Sequence, residues 1–374
     1  MPAIITRNNR GIALLITLTI ISVLIVVTLE MSRKMRSAVF SAAATRDRMT
    51  LLHLASSGIN AAKAMLIKDK YDSKYDSIQE DWANPEKISE VLQDISFEDG
   101  KVELLISDEL SKIQVNALVE FPEGRDYNAT QMFLWGRFLR LLLSLEEPFE
   151  DIEPITIVDS MKDWLDSGDD DAITGLNGAE LEYYQDLDPP YSCRNGPFTH
   201  IGELALVRGV IPELFYGVER SQGISKFITV FGMTKSGESF AYGGKININT
   251  AELPVLAAIM PLEHQEFAQL IYEYRQETSD SAYINDLSSP TWYKKVPGFG
   301  NIEIDPKLIT TSSDFFRIES VATLNEMKMK ITEVVIREKN TKNGKMGMPG
   351  LALGDRMKYD MVTFCRLQAK NCEF

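Results

Sequence analysis

The chain opens with a short polar segment followed by an apolar stretch. Residues Ile12 to Leu29 contain no charge and are mostly aliphatic. A helix over this stretch would be roughly 27 Å long, which is close to the hydrocarbon thickness of a bilayer. The core of a secretory signal peptide is shorter, about 7–15 residues, and no small-residue cleavage site follows here. The pattern predicts a retained membrane helix, with Arg7 and Arg10 on the cytoplasmic side.

Helical periodicity continues beyond this stretch. Between Glu30 and Lys68 there is no proline and a single glycine, Gly58. The pattern predicts one long helix that is apolar on all sides over residues 12–30 and amphipathic over residues 31–70. The apolar positions that recur at spacings of three and four are Leu51, Leu54, Ala55, Ile59, Ala62, Met65 and Leu66.

Two pairs of strands are predicted, far apart in the chain. The first pair is Lys101–Ile106 and Lys112–Leu118, joined by a polar turn at Ser107–Leu110. The second pair is Asp314–Leu324 and Lys328–Lys339, joined at residues 325–326. Helical and irregular segments fill the sequence between the pairs. We therefore expect an α+β fold in which a long N-terminal helix packs on a small antiparallel sheet, with a large, mostly α-helical domain inserted between strands.

The expected domain boundaries follow from these elements. Residues 71–119 and 309–338 form the α/β core, and residues 120–308 form the inserted helical domain. The C-terminal tail, residues 339–374, has no predicted structure. A formal net charge of −15 repels phosphate backbones, so nucleic acid is not an expected partner. The glycine hairpin Val296–Gly300 is typical of helix-hairpin-helix DNA binding, but few basic residues accompany it.

An acidic block at Asp163–Tyr184 carries the main candidate chemistry. Clustered carboxylates need a counter-ion when they are ionised, and Ca²⁺ takes six to eight oxygen ligands from flexible loops. Glu180 lies where it can add a carboxylate from the start of the next helix, whereas Gly168 breaks the spacing of an EF-hand. A calcium site and a solvated acidic loop are both compatible with this pattern. The five clustered aspartates are Asp163, Asp166, Asp169, Asp170 and Asp171.

A second motif, "GGKININTAELPVLAAIM", predicts a strand that leads into a helix. Apolar and polar residues alternate over Ile246–Asn249, and Asn249 or Thr250 is predicted to cap a helix with Glu252 in its first turn.

No catalytic arrangement emerges from the sequence. The three histidines are His53, His200 and His264; the first lies in the long helix, and capping or surface roles are expected for the others. There is no nucleophile elbow, phosphate loop or paired metal-histidine motif. We expect a protein that is not an enzyme, although opposed carboxylates of the glycosidase type are compatible with the composition.

The cysteines fit no zinc spacing. In an exported chain Cys365 and Cys372 could close a short disulfide loop, which leaves Cys193 over, but sequence alone does not set the pairing.

Three segments together resemble the minor pseudopilin K family, general secretion pathway protein K of type II secretion systems. They are "RG" followed by "IALLITLTIISVLIVV", the block "DWLDSGDDD…NGAELEYYQDLDPPYSCRNGPFTHIGEL", and "ININTA". The resemblance runs from about Gly11 to Arg337. It implies that a prepilin peptidase cuts between Gly11 and Ile12 and methylates the new amine. The apolar helix, which includes Leu15, Ile16, Leu18 and Ile21, is then kept as a membrane anchor and later as fibre core.

The resemblance also implies a place in the fibre. Most pilins have Glu as the fifth mature residue, where it meets the N-terminal amine of a neighbouring subunit, but here that residue is Ile16. A subunit with no neighbour above it would bury an unpaired carboxylate, which is costly. Isoleucine and the bulky insertion both fit a single copy at the tip. A minor subunit of a type IV pilus or DNA-uptake filament, and an anchored enzyme or adhesin, are the alternatives.

Expected partners and location follow from this family. The partners are other minor pseudopilins, the major pseudopilin, the inner-membrane assembly platform, the prepilin peptidase, and the secreted substrate or outer-membrane channel. The protein would span the inner membrane once, with its bulk in the periplasm. Related proteins bind calcium in the inserted domain, and Gly168 stands where an Asp is common, so the ligand set stays open. The residues expected to hold Ca²⁺ are Asp163, Asp166, Asp169, Asp171, Glu180 and Asn195.

Overall fold

The computed structural model describes residues 10–94, 100–144, 149, 152–167, 173–218, 221–236, 239–338 and 350–352. Its helices are α1 (Arg10–Asp72), α2 (Pro85–Asp94), α3 (Ala129–Leu143), α4 (Pro154–Leu165), α5 (Leu181–Gln185), α6 (Pro212–Tyr216), α7 (Leu253–Ile259) and α8 (Ala268–Tyr274). Its strands are β1 (Lys101–Asp108), β2 (Ile113–Gln114), β3 (Gly217–Val218), β4 (Ser221–Gln222), β5 (Ile228–Thr229), β6 (Met233–Ser236), β7 (Ser239–Tyr242), β8 (Ile246–Asn247), β9 (Thr278–Ser279), β10 (Ala282–Tyr283), β11 (Ile309–Thr310), β12 (Phe315–Leu324), β13 (Met327–Glu338) and β14 (Gly350–Ala352).

Helix α1 is one unbroken element of 63 residues, as its periodicity predicts. Among the described residues, no side chain before Leu51 is buried. From Leu51 to Leu66 one face of the helix packs against the sheet, and six of the seven predicted apolar positions are buried there. By length and composition, α1 is the one helix in the described part of the chain that could cross a membrane.

A four-stranded antiparallel sheet, in the order β1-β12-β13-β14, receives the second half of α1. The contact is close at Gly58, where an added Cβ atom would lie 2.3 Å from Ser320 Oγ and 2.8 Å from Val102 Cγ1. Glycine at this position therefore lets the helix backbone approach β12 directly. The β12–β13 hairpin is confirmed, and Asn325 in its turn adopts the left-handed conformation that a tight turn requires (φ +54°).

The predicted second strand, Lys112–Leu118, is wrong. β1 instead runs on to Asp108 and pairs with β12, so its partner lies about two hundred residues later in the chain. Within Lys112–Leu118, Ile113 and Gln114 alone form a strand; they pair in parallel with β5, and Val115–Leu118 forms a buried 3-10 turn. An apolar run that is buried on all sides has no periodicity that separates a strand from a short turn, which explains the error.

The residues between β1 and β12 form the insertion, so the α+β fold with an inserted helical part is confirmed. The insertion has its own hydrophobic core, separate from the cluster under α1. This core includes four fully or nearly buried aromatic residues, Trp135, Phe138, Trp164 and Trp292. Short two-stranded ribbons connect the helices of the insertion, and the parallel pair β8–β11 brings its last part back towards the sheet.

The strand predicted over Ile246–Asn249 is present at Ile246–Asn247, but the predicted cap of the following helix is wrong. α7 begins at Leu253, with Pro254 in its first turn and Glu252 at the N-cap position. Proline is favoured at a helix start because it needs no backbone hydrogen bond there. Asn249 and Thr250 are thus released for contacts elsewhere.

Candidate functional site

Three buried carboxylates meet at the C-terminal end of α4. Asp163 lies in its last turn, Asp166 directly follows it, and Glu180 directly precedes α5. Each residue places one carboxylate oxygen within 4.8 Å of the others. Their exposed fractions are only 0%, 7% and 5%. We call these three residues the acidic triad.

The packing of one face of α4 in the core fixes the orientation of Asp163. Ile157, Met161 and Trp164 recur at helical spacing and are fully or nearly buried in the core of the insertion. Trp164 also stacks on the ring of Phe198, with ring centroids 6.1 Å apart. With these side chains fixed in the core, Asp163 is held against the loop that follows α4.

That loop wraps closely around Asp163. The Thr174 N–H donates to both carboxylate oxygens of Asp163, at 3.1 and 3.2 Å. An added Cβ atom at Gly178 would lie 2.1 Å from Asp163 Oδ2, so only glycine fits there. Gly175 adopts a positive φ of +63°, and an added Cβ atom there would be 2.7 Å from Asp159 Oδ2. The absence of a side chain at these two glycines therefore allows the loop to pack closely on the two carboxylates.

The electrostatics of the triad favour a bound cation. Burial raises the pKa of the Asp163 carboxyl, and the nearby Asp166 raises it further, against hydrogen bonds from Thr174 and the charge of Lys162. Lys162 Nζ lies 2.9 Å from Asp166 Oδ2. Three carboxylates in a buried cluster present only oxygen donors, which is the chemistry that hard cations such as Ca²⁺ prefer. The residues present therefore fit a divalent cation.

Three of the six residues predicted to hold Ca²⁺ lie together in the structure: Asp163, Asp166 and Glu180. Asp169 and Asp171 lie outside the described residues, as do Cys365 and Cys372. Asn195 lies near the end of α4, because the N–H of Gly196 donates to the carbonyl of Trp164 at 3.3 Å. Its Oδ1 accepts a hydrogen bond from Cys193 Sγ at 2.9 Å. Metal binding by this set stays a prediction.

A second carboxylate cluster, which the sequence did not reveal, surrounds Arg337 at the end of β13. Its guanidinium is 1% exposed; it donates to Asp69 Oδ2 at 2.8 Å and to Asp76 Oδ1, and lies 4.5 Å from the centroid of the Phe316 ring. Glu80 approaches the same two aspartates. We call Asp69, Asp76, Glu80 and Arg337 the Arg337 cluster. Because an arginine already sits among the carboxylates, the cluster is an ion-pair network that joins α1, the following loop and β13.

Polar side chains of the "ININT" segment attach the insertion to the sheet domain. Asn247 Nδ2 donates to the carbonyl of Asp76 at 3.0 Å and to Asp108 Oδ2 at 2.8 Å. Thr250 Oγ1 donates to the same Asp108 oxygen at 2.7 Å. Asn249 Nδ2 also reaches the Asp76 carbonyl, at 3.2 Å, and its Oδ1 accepts from Trp292 Nε1 at 2.6 Å. These contacts give the motif a structural role.

The three histidines are distributed across the molecule. His53 lies on α1, His200 caps a 3-10 turn by accepting from the N–H of Gly202 at 2.9 Å, and His264 stacks on Phe267. The position of His200 agrees with the predicted capping role, whereas His264 is half-buried.

Arg7 lies outside the described residues, and the other N-terminal residues singled out in the sequence lie on α1. Gly11 and Ile12 are in its first turn, and no added atom at Gly11 would meet a neighbour within 4 Å. The helix side chains predicted for the membrane and fibre are more than half exposed within the chain; they are Leu15, Ile16, Leu18 and Ile21. Cleavage at Gly11 stays a prediction.

Comparison with known proteins shows which proteins the chain is similar to. Residues 111–221 match the family described as type II secretion system (T2SS), protein K. Proteins of that name from Aeromonas hydrophila and Pseudomonas aeruginosa are 24% and 23% identical over 90% and 95% of this chain, and over 95% and 99% of their own lengths. The Klebsiella pneumoniae protein is 27% identical over 77% of this chain and 82% of its own. The chain is thus similar to protein K of type II secretion systems over most of its length.

The fold also resembles that of a solved protein. A chain in the crystal structure of the GspK-GspI-GspJ complex from enterotoxigenic Escherichia coli has a TM-score of 0.54 and 16% sequence identity, with 83% of this chain and 96% of that chain covered. The family match and the named relatives confirm the predicted resemblance, the fold agrees with it, and the function is that of a pseudopilin in type II protein secretion. The family is a structural component of a secretion machine, and α1 is its candidate single-pass anchor.

Proposed function

We propose that this pseudopilin occupies the tip of the pseudopilus, where it starts assembly together with two other minor pseudopilins and supports export across the outer membrane. The observation that carries the proposal is the insertion between β1 and β12, which adds a second hydrophobic core beside the sheet. Copies of such a body would collide at every step of a thin helical fibre. One copy at the end of the fibre meets no such obstruction.

The composition of α1 supports the same position. Ile16 stands where a fibre-forming pilin would bury a carboxylate beside the amine of the next subunit. A terminal subunit has no such amine above it, and an unpaired buried carboxylate is costly. An apolar residue at this position removes that cost and suits a subunit that only begins the fibre.

The proposed partners follow from the tip position. The related GspK was crystallised with GspI and GspJ, and we assign the corresponding two minor pseudopilins to this chain. The major pseudopilin would follow beneath them, and the assembly platform and prepilin peptidase would act on the anchor helix. The exposed insertion is then placed to meet the outer-membrane channel or a secreted substrate. The bulk of the chain would be periplasmic and would have no catalytic role.

Co-purification tests the tip complex. Full-length protein would be extracted from membranes with detergent, after co-expression with the two other minor pseudopilins, and its partners identified by mass. We expect a complex of the three subunits in equal numbers, with the major pseudopilin as a control that does not replace them. Recovery of the protein alone, or in many copies per fibre, would contradict the proposal.

We also propose that the acidic triad holds a structural calcium ion. The supporting observation is three buried carboxylates that share one space, with the loop of Thr174 to Gly178 folded onto them. A bound Ca²⁺ would neutralise the clustered charge, and Asp163, Asp166 and Glu180 would supply oxygens to it. Its role would be to hold the end of α4, the loop and the start of α5 together.

Thermal unfolding tests the calcium proposal. Melting temperatures would be compared in calcium, in magnesium and in a chelator, with Asp163→Asn as a variant that keeps the shape of the side chain. We expect calcium to raise the melting temperature of the wild type and to affect the variant little. An identical melting temperature in calcium and in chelator would remove the idea.

A further inference from the structure

A lysine already lies against the acidic triad. Lys162 precedes Asp163 directly and lies one helical turn before Asp166, so α4 brings its ammonium to the same end of the helix as the carboxylates. Lys162 Nζ lies 2.9 Å from Asp166 Oδ2, and the two side chains are only 15% and 9% exposed. This ion pair is therefore much more enclosed than a typical surface pair, and its charges are weakly screened.

Neighbouring residues hold Lys162 in this place. Its ammonium lies 5.7 Å from the centroid of the Tyr127 ring, within the range of a cation–π contact. The Tyr127 hydroxyl donates to Asp159 Oδ1 at 2.7 Å, which fixes the ring. Asp159 belongs to α4 as well, so the helix supplies both the lysine and the carboxylate that orients its aromatic partner. The position of the ammonium is thus built into the fold.

The charges explain what this lysine does to a bound cation. The triad carries three negative charges when ionised, and Lys162 offsets one of them. The ammonium and a divalent ion would share the carboxylate of Asp166 and repel each other over a short, poorly screened distance. Lys162 must therefore stabilise the triad before a divalent ion binds, and must oppose the ion when it binds.

We propose that Lys162 is a built-in competitor for the cation of the acidic triad, and that it sets the calcium affinity of the site to a lower value than the carboxylates alone would give. This inference rests on the proposed calcium site and adds its affinity-determining residue. In low calcium the lysine keeps the end of α4 folded, and in high calcium the ion takes over that task. The insertion can therefore stay folded in both conditions.

Substitution of Lys162 tests the proposal on the full-length, detergent-extracted protein. Lys162→Met keeps the apolar stem over Tyr127 and removes the charge. We expect calorimetric titration with calcium to show binding about tenfold tighter than wild type. In chelator the same variant should melt at a lower temperature than wild type, so the stabilisation by calcium becomes larger. A merely structural lysine would lower stability in both conditions and would not tighten binding.

Two controls separate the charge from other effects. Lys162→Arg keeps a cation and should bind calcium as the wild type does. Lys87→Met removes the partner of Glu90 in a pair of 2.9 Å on α2, away from the triad, and should leave both calcium affinity and its thermal effect unchanged. If Lys162→Met does not fold, Lys162→Gln keeps a hydrogen-bond donor without charge, and the same tighter binding is expected of it.

The outcomes distinguish the two proposals. The inference is supported if Lys162→Met or Lys162→Gln binds calcium more tightly than the wild type while Lys162→Arg and Lys87→Met do not. Unchanged or weaker binding by Lys162→Met and Lys162→Gln, with normal binding by the wild type, overturns the role of Lys162 and leaves the calcium site standing. A wild type and an uncharged variant that both fail to bind calcium overturn the calcium site and this inference together.

Discussion

Arg337 and Asp76 form a buried ion pair although 261 positions separate them in the chain. The arginine comes from the end of the last long strand and the aspartate from the loop after α1, and the carbonyl of Ser313 accepts a further hydrogen bond from the same guanidinium at 2.9 Å. Both side chains of the pair are at most 2% exposed. The pair therefore joins the beginning and the end of the sheet domain inside the protein.

Removal of the arginine should be strongly destabilising. Arg337→Met leaves two buried carboxylates without their partner, and we expect the free energy of unfolding to fall by about 3–5 kcal/mol. Denaturant unfolding measures this loss. Lys330→Met on the same strand breaks an exposed pair with Glu319 and should cost less than about 1 kcal/mol. Equal effects of the two variants would contradict the importance of burial.

Stability should increase on mild acidification. Burial, with the neighbouring Glu80, raises the pKa of Asp69 to about 7, and burial raises the pKa of Asp108 to about 6. The unfolded carboxyls titrate near 3.8, so between these values the native state binds more protons. Stability then rises as the pH falls from above 7 towards 5, by up to about 1.4 kcal/mol per pH unit for each group.

Melting temperatures at pH 7.5 and pH 5.5 measure this dependence. Asp69→Asn removes the group with the pKa of about 7 and should flatten the slope. Asp286→Asn is the control, because hydrogen bonds from Ser288 lower the pKa of that exposed carboxyl and take its titration below this range. A wild type that is less stable at pH 5.5 than at pH 7.5 would contradict the prediction.

Gly178 should be essential to the acidic triad. In Gly178→Ala the new methyl group would collide with Asp163 Oδ2, and either the carboxylate or the loop must move. We expect calcium affinity to fall by about tenfold or more. Gly196→Ala is a matched control, since an added Cβ atom there meets nothing within 4 Å. Comparable calcium-induced thermal shifts in both variants would show that the loop contact is unimportant.

Processing of the N-terminus is the fourth prediction. When the protein is expressed with a prepilin peptidase, intact mass should show loss of residues 1–11 and one added methyl group on Ile12. Gly11→Leu replaces the small residue before the predicted cleavage site, so this variant should stay uncut and keep the full mass. An uncut wild type, with the peptidase active on a control substrate, would make this a plain anchored protein.

Local sequence patterns predicted the elements that depend on local periodicity. The length of α1 and the β12–β13 hairpin follow from helical and alternating spacing, and α4 keeps Asp163 and Asp166 close because they are three residues apart. Pairing of β1 with β12 could not be predicted in this way, because the partner lies beyond the whole insertion. The Arg337 cluster was missed for the same reason.

Chemical ambiguity explains the other errors. Asn249 has the residue type of a helix cap, but the helix begins a few positions later, with Pro254 in its first turn. The Asn249 side chain instead accepts a hydrogen bond from Trp292. Lys162 had no distinguishing pattern, since lysine at a helix end commonly faces solvent. Its ion pair with Asp166 and its contact with Tyr127, both seen only in the structure, show that its charge belongs to the acidic triad.

The pairing of β1 with β12 has a mechanical consequence. The insertion leaves the sheet after Asp108 and returns before Phe315, and Asp108 lies opposite Phe316 in the ladder, so both of its ends are fastened at one place in neighbouring strands. A force directed along α1 is transmitted to the sheet at the contact between Gly58 and Ser320. It reaches the insertion through the two strands that border it, β1 and β12. Because both ends of the insertion continue into paired strands, its rotation relative to the sheet is restricted. A fibre that lengthens at its base would therefore push the insertion forward together with the sheet.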